Sequence, residues 1–388
     1  MNLKFSLAAI TFLAFFFIAT AQKPLLCYYS SWAHYRPGRG QYRIENIDPW
    51  LCTHLIYAAF GLDEDASIVL NDPWLDINLG NIRQFNELKN VNANLKTLAT
   101  IAGYTEGSAT FSRVAASSDL RLKFAESARD FCLEHGFDGV DINWEFPGRH
   151  GGDPDNDKAN FVLMLADLRE VLSASGLMLI AAVGAAQHHV ERSYDVPAIS
   201  QYLDYINLMT YDFNGAWDAF TGHNAPLFSG PSETTNFQRT LNANHSVMYW
   251  LSEGAPSNKL ILGIPLYGRT FTLQNPNNYL LRDTATGPGN AGSYTGVAGI
   301  LSYFEICPFF ARKWVRHWED IQKAAFGVNG DQWVGYDDVK STSIKCSYVN
   351  AHGLAGIMVW SIDRDDFHGY CGSTNPILST IVECFRST

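Results

Sequence analysis

The sequence predicts a (β/α)8 TIM barrel with a small α+β subdomain inserted between the seventh and eighth strands. Eight short runs of β-branched and aromatic residues recur along the chain, and segments with apolar residues three and four positions apart lie between them. Such an alternation of strands and helices predicts a parallel sheet covered by helices. A chain of 388 residues is long enough to close that sheet into a barrel around a large core.

The candidate strands follow one another in chain order, with amphipathic helices predicted between them. Two clear helical segments are Leu120–His135 and Asn160–Ser173, in which the apolar residues recur on one face. The eight candidate strands are Leu25–Tyr29, His54–Phe60, Lys96–Ile101, Gly139–Glu145, Met178–Gly184, Tyr205–Thr210, Leu260–Pro265 and Gly356–Ser361.

The interval between the seventh and eighth candidate strands is too long for a single helix. It contains strand-like pieces at Arg269–Leu273 and Gln332–Tyr336. We therefore predict an inserted α+β subdomain at residues 267–340, within one barrel domain that spans residues 22–388.

The first 21 residues predict a secretory signal peptide. A single Lys precedes an apolar run from about Leu7 to Ile18, and Ala-Thr-Ala ends the segment, which places cleavage after Ala21. The apolar run is shorter than the ~20 residues that span a bilayer, so a membrane anchor is the weaker interpretation. We expect a secreted, extracellular protein.

Charge argues against nucleic acid and membranes as partners. The chain has 28 Lys and Arg against 39 Asp and Glu, a net charge of −11, which repels phosphate backbones and anionic lipid surfaces. We expect a monomer. One acceptor sequence for N-glycosylation, Asn244-His245-Ser246, is expected at the surface.

The cysteines and two motifs bear on disulfides and metals. Seven cysteines in an exported chain predict disulfides with at least one thiol left over, and no CxxC pair gives zinc-site spacing. The stretch DPDNDK (153–158) opens like a calcium loop, but Lys158 stands where that loop needs Gly and Met164 where it needs Glu. His188 and His189 are adjacent and share no face of a strand or helix. We expect no metal site.

The stretch FDGVDINWEFPG (137–148) carries the candidate chemistry. Asp141, Asn143 and Glu145 are spaced two apart between apolar residues, so in a strand they project from one face. In a barrel, inward side chains near the carboxyl end of a strand face the substrate cavity. A purely structural polar cluster is the alternative, which the cost of burying unpartnered carboxylates makes weaker.

Aromatic residues are predicted to gather at the same end of the barrel. Each ring alone is more often packing than function, but flat rings beside acids suit sugars, because sugar C–H faces stack on aromatic planes while carboxylates bind hydroxyl groups. The residues at or just after strand ends are Tyr28, Trp32, Tyr104, Tyr211, Asp212, Tyr267 and Trp360.

The whole mature chain resembles the family 18 glycoside hydrolases, which comprise chitinases and chitinase-like lectins. The family pattern D-G-x-D-x-D-x-E followed by an aromatic residue, Pro and Gly is matched from Asp138 to Gly148, with Asn143 at the third acidic position. Further matches are CYYSSWAHYRPG (27–38), NIDPWLCTHLIYA (46–58), SQYLDYINLMTYD (200–212), LILGIPLYGRTF (260–271), WVGYDDVKS (333–341) and GIMVWSIDRDDFHG (356–369).

The resemblance implies roles for individual residues. Glu145 is implied as the general acid and base, and the 2-acetamido oxygen of the substrate, rather than a second carboxylate, is the nucleophile. Asp141, Asn143 and Tyr211 complete the implied catalytic set. The implied substrate-binding residues are Tyr28, Trp32, Tyr104, Met209, Asp212, Tyr267, Arg269 and Trp360. No cofactor is implied.

The same resemblance implies disulfides Cys27–Cys52 and Cys307–Cys371. It leaves Cys132, Cys346 and Cys384 unassigned.

Three positions depart from the family pattern, and they change the activity that we expect. Asn143 replaces an Asp that orients the acetamide N–H and balances positive charge; the amide can still accept that N–H but supplies no charge. Tyr104 stands where the family has Trp, and YAAF (57–60) replaces the common Y-A-F-A. We expect an endo-acting chitinase of reduced rate, cleaving β-1,4-N-acetylglucosamine polymers, with a non-catalytic chitooligosaccharide-binding lectin as the alternative.

Overall fold

The structure, a computed structural model, describes residues 23–103 and 107–386. The predicted signal peptide, residues 1–21, and Tyr104 lie outside these residues. The described strands are β1 (Leu25–Ser30), β2 (His54–Leu62), β3 (Ile68–Val69), β4 (Lys96–Ala102), β5 (Gly139–Asn143), β6 (Met178–Gly184), β7 (Tyr205–Met209), β8 (Leu260–Pro265), β9 (Tyr267–Leu273), β10 (Ala285–Pro288), β11 (Ile300–Ser302), β12 (Val315–Glu319), β13 (Ala324–Asn329), β14 (Gln332–Tyr336) and β15 (Gly356–Trp360).

Eight of these strands form a closed parallel ring in the order β1-β2-β4-β5-β6-β7-β8-β15, with β15 pairing back to β1. The predicted (β/α)8 barrel is confirmed. Each of the eight predicted strands is present, with ends that agree to within two residues. The difference that matters is at β5, which ends at Asn143, so Glu145 lies two residues beyond the strand.

Most helices lie between successive barrel strands and pack around the ring, one lies within the inserted segment, and the last follows β15. They are α1 (Asn81–Glu87), α2 (Ala109–Ala116), α3 (Ser118–His135), α4 (Asp157–Ser173), α5 (Gln187–Ser193), α6 (Val196–Tyr202), α7 (Asn236–Thr240), α8 (Ala243–Ser252), α9 (Tyr303–Ile306), α10 (Val339–Ala351) and α11 (Pro376–Arg386). The two helical segments singled out in the sequence are α3 and α4. Helix α3 begins after Ser117, whose side chain accepts from the Leu120 N–H, and ends at Gly136, which has a φ of 80°.

Barrel strands that are buried on both faces have mostly apolar residues. Their two faces form two layers of hydrophobic core. The outer layer lies between the ring and the helices and includes Phe60, Phe124 and Phe161. The inner layer fills the barrel with the buried side chains of Leu26, Tyr28, Ile56, Leu98, Ile180, Ile261 and Met358. The interior of the barrel is therefore filled with side chains and does not form a pore.

Between β8 and β15 the chain forms an antiparallel sheet in the order β10-β9-β14-β13-β12, and β11 also pairs with β9. Only Leu266 separates β8 from β9, and the sheet ends at Tyr336, shortly before α10. This is the small subdomain that the sequence predicts between the last two barrel strands. Its division at residues 267–340 stays a prediction.

Three disulfides are present. Cys27–Cys52 and Cys307–Cys371 are the two pairs that the resemblance implies, and Cys346–Cys384 is a third that joins α10 to α11. Cys132 remains as a buried thiol.

None of the helices in the described part of the chain has the length and apolarity needed to span a bilayer. The glycosylation acceptor Asn244 is half-buried on α8, where its Oδ1 accepts from the Tyr348 hydroxyl at 3.0 Å, and Ser246 is fully buried. The acceptor sequence is thus only partly at the surface.

Candidate functional site

Asp141 lies on β5 with its carboxylate fully buried inside the barrel. Its Oδ2 accepts hydrogen bonds from the Tyr28 hydroxyl on β1 and the Thr100 hydroxyl on β4, each at 3.0 Å. The Asn207 amide on β7 donates in turn to the Tyr28 oxygen at 3.0 Å. Side chains from four strands therefore form one polar network across the barrel interior.

Asn143 is the last residue of β5 and is only 4% exposed. Its amide oxygen is buried and, among the described residues, has no hydrogen-bond partner; the same is true of Oδ1 of Asp141 and of Asn207. Buried acceptors without a donor are costly. A ligand N–H that reached the Asn143 oxygen would satisfy it.

Glu145 follows β5 and is half-buried at the carboxyl end of the barrel. Tyr211 follows β7, and its hydroxyl lies 3.9 Å from the Met358 sulfur. Burial, followed by the charges of neighbouring groups that include Glu145, raises the pKa of Tyr211 well above its usual value. Burial and then Asp141 raise the pKa of Tyr28, to which Glu145 also contributes. Glu145 is thus near both tyrosines, which stay protonated and can donate hydrogen bonds.

Asp212 is held by two neighbours from β9. Its Oδ1 accepts from the Tyr267 hydroxyl at 2.7 Å and from Arg269 Nε at 2.8 Å, and a second Arg269 nitrogen lies 2.7 Å from Oδ2. Such a two-pronged contact fixes the plane of the carboxylate. The Asp212 N–H donates to Asn224 Oδ1 at 2.9 Å, and the Asn224 amide donates to the Tyr267 carbonyl at 3.0 Å.

Aromatic rings surround these acids. The Trp360 ring at the end of β15 lies 5.2 Å from the Tyr28 ring and 6.3 Å from the Trp32 ring, measured between centroids. Trp32 is 44% exposed, and Trp217, whose ring lies 4.9 Å from the Arg269 guanidinium carbon, is 60% exposed. Exposed rings beside carboxylates offer both surfaces that a sugar needs, an apolar plane and hydrogen-bonding groups.

The buried carboxyl of Asp141 has a perturbed acidity. Burial raises its pKa to about 7, although hydrogen bonds from Tyr28, Thr100 and the backbone of Ala182 act in the opposite direction. Near neutral pH this carboxyl therefore exists in both its neutral and its charged form.

Eleven of the twelve site residues predicted from the sequence are described by the structure, on or just after the barrel strands and on β9. They are Asp141, Asn143, Glu145, Tyr211, Tyr28, Trp32, Met209, Asp212, Tyr267, Arg269 and Trp360. Met209 packs against the inner core at the end of β7. Their functional roles stay predictions.

Sequence reasoning missed four residues that hold or extend the site. Thr100 and Asn207 are polar residues within apolar strands, a signal that was present in the sequence. Asn224 and Trp217 lie in the long segment after β7, where no periodicity marks them.

A metal centre has no suitable ligand set among residues 23–103 and 107–386. Cys307, Asp366 and Cys371 lie close together, but the two sulfurs form a disulfide. The Asp366 carboxylate accepts the backbone N–H groups of Tyr370 and Cys371 at 3.0 and 2.7 Å. These atoms are already committed to structural bonds.

The chain is similar to proteins of known sequence and structure. The endochitinase of Manduca sexta is 37% identical over 370 residues, which are 92% of this chain and 66% of that protein, so the chain spans about two thirds of its length. A solved structure of Ostrinia furnacalis Group IV chitinase in complex with allosamidin superposes with a TM-score of 0.92 at 42% identity, covering 94% of this chain and 99% of the other.

A third relative is human YKL-39, described as a pseudo-chitinase with retained chitooligosaccharide binding properties. Its structure superposes with a TM-score of 0.87 at 34% identity, covering 94% of this chain and all of the other. The sequence profile of glycosyl hydrolases family 18 matches residues 24–365. The match includes the eight barrel strands and every predicted site residue, and the chain therefore belongs to glycosyl hydrolases family 18.

Proposed function

We propose that this protein is a secreted, endo-acting chitinase that hydrolyses β-1,4 linkages between N-acetylglucosamine units with retention of configuration. The observation that carries the proposal is the carboxylate of Glu145, which stands at the open end of the barrel next to the buried acid network and within electrostatic reach of Tyr211. A proton donor at this position can protonate the oxygen that leaves the sugar.

In the proposed reaction the acetamide oxygen of the substrate attacks the anomeric carbon while the glycosidic C–O bond breaks and Glu145 gives its proton to the departing oxygen. Water then attacks the cyclic intermediate and returns a proton to Glu145. Tyr211 donates a hydrogen bond to the acetamide oxygen, and Trp360 supports the distorted sugar from below. Asp212, fixed by Arg269, holds that sugar in place.

Asn143 slows this reaction in the proposal. Its amide oxygen is buried and unpartnered among the described residues, so it can accept the acetamide N–H and orient the nucleophile. A neutral amide supplies no negative charge to the cationic intermediate. Loss of one such electrostatic contact costs about 10²–10³ in rate, or roughly 3–4 kcal/mol.

A second candidate is a lectin that binds chitooligosaccharides without cleaving them. The observation that favours it is Asn143 in the place of the family's usual Asp, in a chain that is similar to YKL-39. The exposed rings of Trp32 and Trp217 support sugar binding under either function.

The test is incubation of the purified mature protein with chitotetraose and chitohexaose, followed by mass spectrometry, beside Glu145→Gln and Asn143→Asp. For the chitinase we expect cleavage by wild type, none by Glu145→Gln, and cleavage by Asn143→Asp that is about 10²–10³ faster. Equal rates for wild type and Asn143→Asp would contradict the assigned role of Asn143.

Binding without cleavage by wild type, joined to cleavage by Asn143→Asp, would establish the lectin instead. Isothermal titration that detects no heat with either oligomer would remove both functions.

The location, oligomeric state and partners of the enzyme are part of the same proposal. We infer removal of residues 1–21, release outside the cell and action as a monomer, without a cofactor and without nucleic acid or a membrane as partner. The composition of the first 21 residues, the net charge of −11 and the disulfides support this.

A further inference from the structure

The backbone that follows Glu145 is held by buried side chains from helices packed outside the barrel. The Ser108 hydroxyl donates to the Phe146 carbonyl at 3.0 Å, and the Ser193 hydroxyl donates to the Pro147 carbonyl at 2.8 Å. Both serines are fully buried. Ser108 occupies the position that caps α2 but makes no side-chain capping bond there, so its hydroxyl serves the segment after Glu145 instead.

Asp157, the first residue of α4, holds the N–H of the peptide group whose carbonyl Ser193 binds. Its Oδ2 accepts from the N–H groups of Gly148 and Asp153 at 3.0 and 2.8 Å, and its Oδ1 accepts from the Ser112 hydroxyl at 2.6 Å. The carboxylate is fully buried. A Cβ at Gly152 would lie 2.4 Å from Oδ2, so only glycine lets the chain approach this closely.

The stretch DPDNDK, which opens like a calcium loop, is therefore the start of a helix. Its first carboxylate, Asp153, accepts the N–H groups of Asp155 and Asn156 at 2.9 and 3.2 Å. Its last, Asp157, binds the segment behind the proposed acid.

Glu145 depends on this support because the strand has already ended. The ladder between β5 and β6 stops at Ile142, and the ladder between β5 and β4 stops at Asn143. The Glu145 backbone thus lies between the strand end on one side and two held peptide groups on the other.

We propose that Ser108, Asp157 and Ser193 are positioning residues that fix the direction of the Glu145 carboxylate. The inference rests on the proposed role of Glu145 as proton donor. Each of the three acts through the backbone of residues 146–148, and none of them is assigned contact with the substrate. A displacement of about 1 Å at a reacting group can cost on the order of 10²-fold in rate, so small shifts in this segment matter.

A comparison of leaving groups separates positioning from a merely structural role. A sugar alkoxide needs the proton of Glu145 in order to leave, whereas 2,4-dinitrophenolate leaves as a stable anion without it. Misdirection of Glu145 therefore slows the first, bond-breaking step far more with chitotetraose than with a dinitrophenyl N-acetylchitooligosaccharide. This step is measured by kcat/KM, because the later attack of water, which also uses Glu145, is common to both substrates. General destabilisation slows both equally.

The decisive variants are Ser193→Ala and Asp157→Ala. We expect each to lower kcat/KM for chitotetraose about 10- to 100-fold, and kcat/KM for the aryl glycoside by no more than about threefold. Asp157→Asn keeps an oxygen that can accept both N–H groups, so it should retain most of the activity.

Ser200→Ala is the matched control for Ser193→Ala. Ser200 is also a buried serine, but its hydroxyl donates to the Val196 carbonyl of its own helix at 2.7 Å, away from Glu145. We expect no difference between the two substrates in this variant. Equal losses on both substrates in Ser193→Ala, or the same selective loss in Ser200→Ala, would overturn the proposal.

A readout independent of turnover separates this inference from the proposed function. If wild type cleaves neither substrate, the chitinase proposal fails, and the ¹³C NMR titration of the Glu145 carboxyl, assigned with Glu145→Gln, still tests the positioning. Ser193→Ala removes no charge, so a moved titration midpoint reports a changed environment of Glu145. We expect a shift in Ser193→Ala and none in Ser200→Ala; an unchanged midpoint in Ser193→Ala would refute the inference.

Discussion

At the scale of single residues, Asp141 is the clearest case of burial changing chemistry. Its carboxyl is fully enclosed by the barrel and is held by the hydroxyl groups of Tyr28 and Thr100. Burial raises its pKa to about 7. The folded protein therefore holds this proton more tightly than the unfolded chain does.

The sign of the effect on stability follows from that difference. Between pH 3.8, the ordinary pKa, and about 7, the folded state binds more protons than the unfolded state, so the free energy of unfolding falls as pH rises through this window. In Asp141→Asn the contribution disappears. We expect the stability of wild type relative to Asp141→Asn to fall by up to about 1.4 kcal/mol per pH unit in this window, measured by urea unfolding at pH 4.5, 6 and 8.

Asp138→Asn is the control for that series. Burial acts to raise the pKa of Asp138, but hydrogen bonds from Thr97 and Lys89 outweigh it and lower the pKa below 3.8. Its contribution should therefore not change between pH 4.5 and 8. A constant offset between wild type and Asp141→Asn over that range would show that Asp141 is ionised throughout.

The spacing of Asp141, Asn143 and Glu145 was visible in the sequence, but the identity of their partners was not. Alternation along one strand brings Asp141 and Asn143 to one face. Thr100 and Asn207 contribute to the same network from positions 41 residues from Asp141 and 179 residues from Tyr28, respectively. Only the closure of the barrel brings them together, and no local pattern records that closure.

At the scale of elements, β5 shows why strand ends are hard to predict. The alternation of polar and apolar residues continues through Glu145, so the sequence predicts a strand to that residue. The hydrogen-bonded ladder ends at Asn143, while the Trp144 ring packs 5.2 Å from Phe111 and 5.7 Å from Phe161. Side-chain packing keeps the alternation after the ladder has stopped.

The pair α10 and α11 carries a prediction about stability. Cys346–Cys384 joins these helices across 38 residues and was unassigned from the sequence. Because a cross-link restricts the unfolded chain, Cys346→Ala with Cys384→Ala should destabilise the protein by about 2–4 kcal/mol, measured by thermal or urea unfolding. Cys132→Ala, which removes a buried thiol without opening a loop, is the control. Equal losses in the two proteins would indicate a packing effect alone.

At the scale of the whole molecule, the order of strands was predictable because each strand and helix has a recognisable local pattern of apolar residues. The inserted sheet was predictable from the length of one interval. The contacts that hold the sheet against the barrel were not predictable, because they join segments that are distant in the sequence. Lys345 on α10 is buried, pairs with Asp337 at 2.7 Å and donates to the Ala225 carbonyl at 2.7 Å, 120 residues away.

From this ion pair we predict that removal of one partner strongly lowers the free energy of unfolding and that replacement of both partners restores it. Asp337→Ala leaves the Lys345 ammonium buried without its counter-charge and should cost about 3–5 kcal/mol. Replacing both partners, as Asp337→Leu with Lys345→Met, should recover most of that loss, because no isolated charge remains. Urea unfolding of the three proteins at pH 7 tests this. A double variant as unstable as Asp337→Ala would show that the ion pair itself is needed.

The single residue between β8 and β9 has a consequence for chimaeric proteins. Because only Leu266 separates β8 of the barrel from β9 of the inserted sheet, the inserted sheet cannot be exchanged as an independent unit. An exchange of the inserted sheet also exchanges Tyr267 and Arg269. These two residues fix the carboxylate of Asp212, which belongs to the barrel and is not exchanged. A graft of residues 267–336 from one family member into another therefore replaces the residues on one side of the Asp212 contact, and successful grafts must match donor and recipient at Asp212.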